Sequence, residues 1–459
     1  MSRWPVVVAA LVAAAAAAGC SLPAADARTA FVISALTADN QRWLDRDPAA
    51  VAGKYQRMAS RRYDFFRGTA GLFWRDVTDG GAAATSASVA DGPGAWVWTM
   101  GDAHLENLGS FRAADGALVL DYNDFDGATR GPWWLDLRRL AMGVAVASDE
   151  LDLGDVEAAL VERALAAYVD EIARLADGGP AVADGPWVTS FLAKSREAGD
   201  ARARLDEYTA VDPAGVRTMV LGDLAPVAPD GTWVDTTAPL TADELADVTT
   251  LMADAGPTAL ASAGPVKGAS RRLGAGVASY PSPRYYVLCD GPTAAADDDV
   301  LLEAKEATPP AGRPRPPAPF DARDSDAGQV VRGQRLMAAR PDGELFLAAA
   351  EVGPRSFRVK ERTGYQRGVE LAKLAGDRDA VDEVVAAAGR LLADAHARAP
   401  LVDGRPALTV IAPRLAGRRA EVLAEFTALA RDDAARVRAD ADRFAAALAE
   451  RGPLLGVTP

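Results

Sequence analysis

Residues 95–126 read AWVWTMGDAHLENLGSFRAADGALVLDYNDFD. The apolar run Ala95 to Met100 has the composition of a strand and leads straight into Gly101-Asp102. After the turn signal Asp115-Gly116, Ala117 to Tyr122 reads as a second strand that ends at Asn123-Asp124-Phe125-Asp126. A hairpin between them would bring Asp102, Asn107 and Asp124 together. Phosphoryl transfer needs that kind of set: a carboxylate beside the acceptor hydroxyl, and oxygen donors that hold a metal ion against phosphate. Magnesium favours one or two carboxylates completed by water and phosphate oxygens. The competing reading is local, because Asp and Asn gather in turns by bonding their own backbone. Asp121 and Asp126 rival Asp124 as the metal-binding aspartate, and His104 reads as a brace of the loop or as a ligand.

With those residues in view, Gly101-Asp102-Ala103-His104-Leu105-Glu106-Asn107 resembles the catalytic loop of aminoglycoside phosphotransferases and related small-molecule kinases, whose core is G-D-x-H-x-x-N. More closely, the chain resembles a bacterial family of unknown function, domain-of-unknown-function family 2252, over most of residues 52–450. The matching stretches include Phe66-Arg67-Gly68, Asn123-Asp124-Phe125-Asp126, Gly131-Pro132-Trp133 and Asp136-Leu137-Arg138-Arg139-Leu140. Later ones are Lys305-Glu306-Ala307, Gly333-Gln334-Arg335 and Leu392 to Arg398. The kinase likeness implies Asp102 as catalytic carboxylate, Asn107 as a metal ligand, Asp124 as the metal-binding aspartate, and Asp136 as a structural anchor opening the next helix. Kinase relatives often carry His before Gly-Asp. Met100 stands there instead, which weakens a bond that would brace the loop.

A kinase also needs a glycine turn over the phosphates and a strand lysine that reaches them. Neither precedes Asp102. Candidates come later: Gly274, Gly276 and Ser279 before a strand at 284–289, and Lys305 ending a strand at 300–304. By the two-residue strand period, Leu301, Glu303 and Lys305 share one face. The order implies an α+β, protein-kinase-like, two-lobed fold that is circularly permuted, with the helical catalytic lobe ahead of the small β-rich lobe. The helix around Leu391–Arg398 would then pack beside residues 30–100. The expected divisions are a leader (1–27), a mainly helical catalytic lobe (28–262), a β-rich lobe covering the nucleotide (263–362), and C-terminal helices (363–459).

Within those divisions, helix is expected at 30–76, 136–176, 190–209, 241–255, 327–339, 365–398 and 411–450, and further strands at 345–352 and 356–361. Residues 264–276 read as a glycine-rich segment, and 308–319 as a proline-rich loop. The helix 327–335 offers no acid to Lys305. Arg332 stands where an acid is wanted, and Glu306, Glu344 and Glu351 are substitutes. Arg335 and Lys360 are possible phosphate contacts or plain surface charges. His396 reads as a hydrogen-bonded core histidine.

Composition narrows the partners. A formal charge of −14 over 459 residues, with no strongly basic stretch, argues against nucleic acid. Two histidines and two cysteines disfavour a zinc centre. Residues 1–27 read as an export leader: Arg3, an apolar run from Val6 to Ala18, then Ala18-Gly19-Cys20-Ser21. This resembles a lipoprotein signal, which would lipidate Cys20 at the periplasmic face; ordinary cleavage after Ala25-Asp26-Ala27 competes with it. Cys289 reads as a buried strand residue.

The expected activity is transfer of a phosphoryl group from ATP with Mg2+ or Mn2+ to an unidentified small-molecule or protein hydroxyl. A nucleotide-binding pseudokinase and a divalent-metal phosphoesterase are the alternatives.

Overall fold

Small and apolar side chains at helical spacing dominate the first part of the chain. In the computed structural model they form α1 (Ala24–Leu44), α2 (Pro48–Ser60), α3 (Arg62–Gly68) and α4 (Ala70–Val77). The structure describes residues 24–78, 81–85, 87–90, 92, 95–179, 185–199, 201–222, 236–254, 263–310 and 324–458. Residues 1–23 of the segment read as a leader, with Cys20, lie outside the described residues, as do parts of the 79–94 loop and residues 311–319 of the proline-rich stretch. Helix α1 begins inside the segment read as leader. Its Arg28 donates to both Asp76 and Asp440 and so ties the two ends of the described chain together. No described helix is long and apolar enough to cross a membrane.

The decisive stretch folds into two small antiparallel pairs. Strand β1 (Val97–Thr99) pairs with β4 (Thr129–Gly131), and β2 (Leu108–Arg112) pairs with β3 (Leu118–Tyr122). Beneath them lies α5 (Trp133–Glu150), buried along nearly its whole length, followed by α6 (Glu157–Ala176). The run expected over 136–176 is thus two helices, separated where Asp152 takes φ 59°. Each fully buried large side chain here, such as Phe66 or Leu137, contributes ~1.5–3 kcal/mol relative to exposure.

Next come α7 (Pro186–Glu197), α8 (Ala201–Tyr208), a short hairpin of β5 (Thr209–Val211) and β6 (Arg217–Met219), then β7 (Thr236–Ala238) and α9 (Ala242–Asp254). The helix expected over 190–209 is therefore two. The main sheet continues with β8 (Val266–Leu273), β9 (Arg284–Cys289), β10 (Val300–Ala307), α10 (Asp326–Met337), β11 (Ala348–Val352) and β12 (Arg355–Glu361). Its order is β11-β12-β10-β9-β8-β7, antiparallel throughout. Cys289 is fully buried within it.

Four expectations need correction. The hairpin expected between 95–100 and 117–122 does not form: the turn at Asp115-Gly116 joins β3 to β2, a strand inside the stretch between them, and β1 pairs with β4 instead. The segment read only as glycine-rich contains β8, whose register shifts between Val266 and Gly268. The sheet-bearing part begins before residue 263, because β7 is its edge strand and Val248 and Leu251 of α9 belong to its core. Residues 365–377 are no helix beyond a single turn at Leu371–Lys373.

The chain closes with α11 (Arg378–Arg398), α12 (Leu408–Leu415) and α13 (Arg419–Arg451). Helix α11 packs chiefly along α6, and it is α13 that meets the N-terminal helices. The expectation that α11 would lie beside residues 30–100 holds only where it reaches β1. Phe444 of α13 packs on Tyr55 and Phe65, and Arg138 of α5 holds Asp433 of α13 through bonds of 2.6 and 2.9 Å.

Candidate active site

Gly101 takes φ 80°, a left-handed conformation that glycine enters without steric cost. That turn lifts Asp102 off the end of β1. The backbone N–H groups of Met100 and Gly101 would be orphaned there, but both donate to Asp136, at 2.5 and 2.9 Å. Asp136 is held in turn by His396 Nε2 at 3.2 Å, whose Nδ1 faces the Tyr168 hydroxyl at 2.8 Å. All three are fully buried. The brace missing at Met100 is therefore supplied from α5 and from α11, and His396 is a hydrogen-bonded core histidine.

Asp102 Oδ1 accepts from Arg139 Nε at 2.9 Å. The Arg139 guanidinium lies 3.7 Å from the Phe66 ring centroid and donates to the Phe66 carbonyl. This explains two of the stretches noted in the sequence. Phe66 is the platform for Arg139, and Arg67 binds Glu106 of the loop at 2.7 Å. Burial raises the Asp102 carboxyl above the ordinary range; Arg139 opposes that shift and the charge of Asp124 adds to it. His104 is buried against Tyr63 and Phe66. Burial, then the charges of Arg67 and Arg139, hold its pKa well below the usual value, so it is a neutral neighbour 3.9 Å from Asp102 Oδ2.

Asn107 donates its Nδ2 to the Asp102 carbonyl at 2.8 Å. Its side-chain oxygen is the atom left for a cation. Asn123 N–H donates to the Asn107 carbonyl at 2.8 Å, which locks the end of β3 to the loop. Asp124 follows directly, and its carboxylate accepts from the Asp126 N–H at 3.0 Å. Burial pushes Asp124 up, but the charges of Lys305 and Arg358 outweigh it and hold this carboxylate well below the usual range. It stays ionised, as a hard-cation ligand must. Asp121 turns elsewhere: its carboxylate accepts from the Ala339 and Tyr122 N–H groups.

Lys305 lies on the sheet above and pairs with Asp126. Asp126 therefore answers the question of its acid partner, and none of the three glutamates does. Glu306 is bound by Arg42 of α1 and by Arg46 in the turn that follows it. Arg332 pairs with Asp324, and Arg335 donates to the Leu347 carbonyl.

A cleft of about 410 Å³ is lined by Asp102, His104, Asn107, Asp124, Asp126, Gly276 and Ser279. A neighbouring cavity of about 510 Å³ shares Asp124 and Gly276 with it and adds Gly274, Lys305 and Lys360. Gly274 and Gly276 have φ of 81° and 79°, in the turn between β8 and β9. All nine residues singled out from sequence thus border one divided cleft. Sequence reasoning gave no role to Arg139, which sits in a noted stretch, nor to Lys54, buried at the cleft wall on Asn40. Burial lowers the Lys54 pKa to about 8. Among the described residues no cluster of three or more His, Cys, Asp or Glu side chains could hold a metal. The oxygens that could hold a magnesium ion here are those of Asn107 and Asp124, with phosphate and water needed to complete the shell.

Residues 46–447 match the model of an uncharacterized protein family conserved in bacteria, DUF2252. The chain belongs to this family. No curated protein and no solved structure matches it. The match spans both halves of the divided cleft, so Asp102 and Lys305 are parts of one family unit.

Proposed function

We propose that this chain is a metal-dependent phosphotransferase with a kinase-like site in permuted order. The observation that carries the proposal is the convergence of Asp102, Asn107 and Asp124 on a cleft roofed by the Gly274–Ser279 turn and flanked by Lys305. In protein kinases a glycine-rich loop, a lysine on the third strand and a following helix come before the catalytic loop. Here β8, the glycine turn, β9, Lys305 on β10 and α10 occur in that same order, but after it.

The acceptor hydroxyl would donate to Asp102 Oδ2, with Oδ1 pinned by Arg139 so that one oxygen faces the cleft. Asn107 and Asp124 would hold Mg2+ or Mn2+, which when bound neutralises charge on the transferring phosphoryl group. Lys305 and the turn would position the donor, for which a nucleoside triphosphate such as ATP is the default. A second reading, ligand binding without turnover, draws on α10: from Ala327 to Met337 it carries no acid, and Lys305 is engaged by Asp126 instead.

The test is incubation of the purified protein with Mg2+ and terminally labelled phosphoryl donor, beside Asp102→Asn. Label transfer or release that drops ~10²–10⁴-fold in the variant supports the phosphotransferase, since that is the usual weight of a general base. Ligand-induced thermal stabilisation with no turnover in either protein supports the binding reading.

A further inference from the structure

The cavity on the sheet side of Asp124 is where a donor would extend away from the transferring phosphate. A nucleoside there would need apolar faces for its base, since small-molecule pockets are mostly apolar with a few placed polar groups. The described lining offers the reverse. Eight of its residues are Arg or Lys, two are acids, and Phe111 and Ala275 are the apolar side chains other than glycine.

The cations are built into the fold. Lys305 stands directly opposite Arg284 on β9 and Arg358 on β12, which makes a row of three positive charges across three strands. Like charges in that register destabilise a sheet. On the next rung Glu303 faces Tyr286 and Lys360. Glu303 is shared among Arg272, Arg284, Arg358 and Arg362, at 3.8, 3.5, 3.0 and 3.9 Å, and Asp126 is shared between Lys305 and, at 3.7 Å, Arg358. Arg358 and Lys360 are 4% and 7% exposed. Arg358 Nε and Arg362 Nε are buried with no hydrogen-bond partner among the described residues. Burial, reinforced by the charge of Arg358, lowers the Lys360 pKa to about 8. Buried donors left over in a charge-imbalanced pocket call for an anion with several charges.

We propose that the phosphoryl donor is a linear inorganic phosphate chain, with its terminal phosphate at Asp124 and its following phosphates along the Arg284–Lys305–Arg358 row toward Lys360 and Arg362. This rests on the phosphotransferase reading above and names its donor. In the step, an acceptor oxygen forms a bond to the terminal phosphorus and its proton passes to Asp102. The bond from that phosphorus to the bridging oxygen breaks, and the chain leaves one phosphate shorter. No nucleoside is required in that step.

The experiment is calorimetry of the purified full chain in Mg2+ with tripolyphosphate and with ATP, joined to phosphorus NMR of tripolyphosphate shortening with water and added glycerol as acceptor oxygens. Tripolyphosphate should bind roughly tenfold or more tightly than ATP. Lys360→Met should weaken it about tenfold, the weight of one charge-assisted bond. The same variant should melt no lower than the parent without ligand, because it removes a poorly compensated buried charge. Shortening to pyrophosphate should vanish in Asp102→Asn while chain binding persists. Equal or tighter binding of ATP, or an unchanged chain affinity in folded Lys360→Met, overturns the chain as donor and leaves phosphotransfer standing. Tight chain binding with no shortening overturns phosphotransfer and leaves the anion site standing.

Discussion

The two halves of the divided cleft are built on opposite terms. Around Gly101–Asn107 the carboxylates and backbone amides are paired: two amides on Asp136, that carboxylate on His396, Asn107 on the Asp102 carbonyl, Arg139 on Asp102, while His104 Nδ1 and Arg67 Nε are buried there without a hydrogen bond among the described residues. In the sheet half the lining carries eight Arg or Lys against two acids, and Arg358 and Arg362 each bury an Nε without a hydrogen bond among the described residues. A matched network holds its geometry with or without a ligand, whereas an unmatched one gains most when a ligand arrives. On the proposed reading the Asp102 half is held by its own bonds, and an anion would complete the sheet half.

The largest expected effect breaks the catalytic half chemically. Asp102→Asn keeps the packing and should lower phosphoryl transfer by ~10²–10⁴-fold, with a circular dichroism spectrum unchanged from the parent. Next comes the brace. Asp136→Ala would orphan two amides and leave His396 without its acceptor, a loss of about 3 kcal/mol or more in urea unfolding. If the variant melts like the parent, the loop is not held from beneath as described.

A third test asks whether Arg139 tunes Asp102. The raised Asp102 pKa places the acid limb of the kcat profile above that of an ordinary aspartate. Arg139 is the opposing influence, so Arg139→Met should shift that limb to still higher pH. A limb that stays put would mean Arg139 serves packing alone.

The smallest expected effect concerns Glu361, which shares a separate cavity with Arg112 and Glu344 on the other face of β12 from the cationic row. Burial, then the nearby Glu344 charge, raises the Glu361 pKa to about 7, above its ordinary 4.5. The folded state therefore binds this proton more tightly than the unfolded chain does. Its stabilising contribution is full below about pH 4.5 and is lost as pH rises through about 7. Glu361→Gln should raise the melting temperature by a few degrees at pH 8, roughly the effect of ~1–2 kcal/mol, and should do little at pH 5. A gain equal at both pH values would contradict this reading of Glu361.

The Asp102 half was legible in part because it is local: Asp102, Asn107 and Asp124 lie in the short links between consecutive strands, but the hairpin expected between 95–100 and 117–122 does not form, because β3 pairs with the unforeseen β2 and β1 with β4. Lys305 was legible as a strand residue by its alternation with Glu303. Its partner was not, because Asp126 lies 179 positions away and only tertiary packing brings them together. Strand β8 was hidden by its glycine, serine and arginine content, which reads as loop until β9 pairs with it. The helix expected over 365–377 failed for a related reason. That segment is the link from β12 that runs along β2, where Val369 N–H donates to the Leu108 carbonyl. Gly109 permits that approach, since a Cβ there would sit 2.7 Å from the Arg367 carbonyl oxygen. The cationic row was partly visible, because Arg358 and Lys360 alternate with the apolar Phe357 and Val359. Only the cross-strand register adds Arg284 and Lys305 to it.

The account depends on a divalent cation and a phosphate chain meeting at Asp124. Titrating Mn2+ into the protein with tripolyphosphate present, and following bound manganese by electron paramagnetic resonance, addresses this directly. The account expects bound, phosphate-dependent Mn2+ in the parent and its loss in a folded Asp124→Asn variant. Equal manganese binding in the two proteins, or none in the parent, would contradict it.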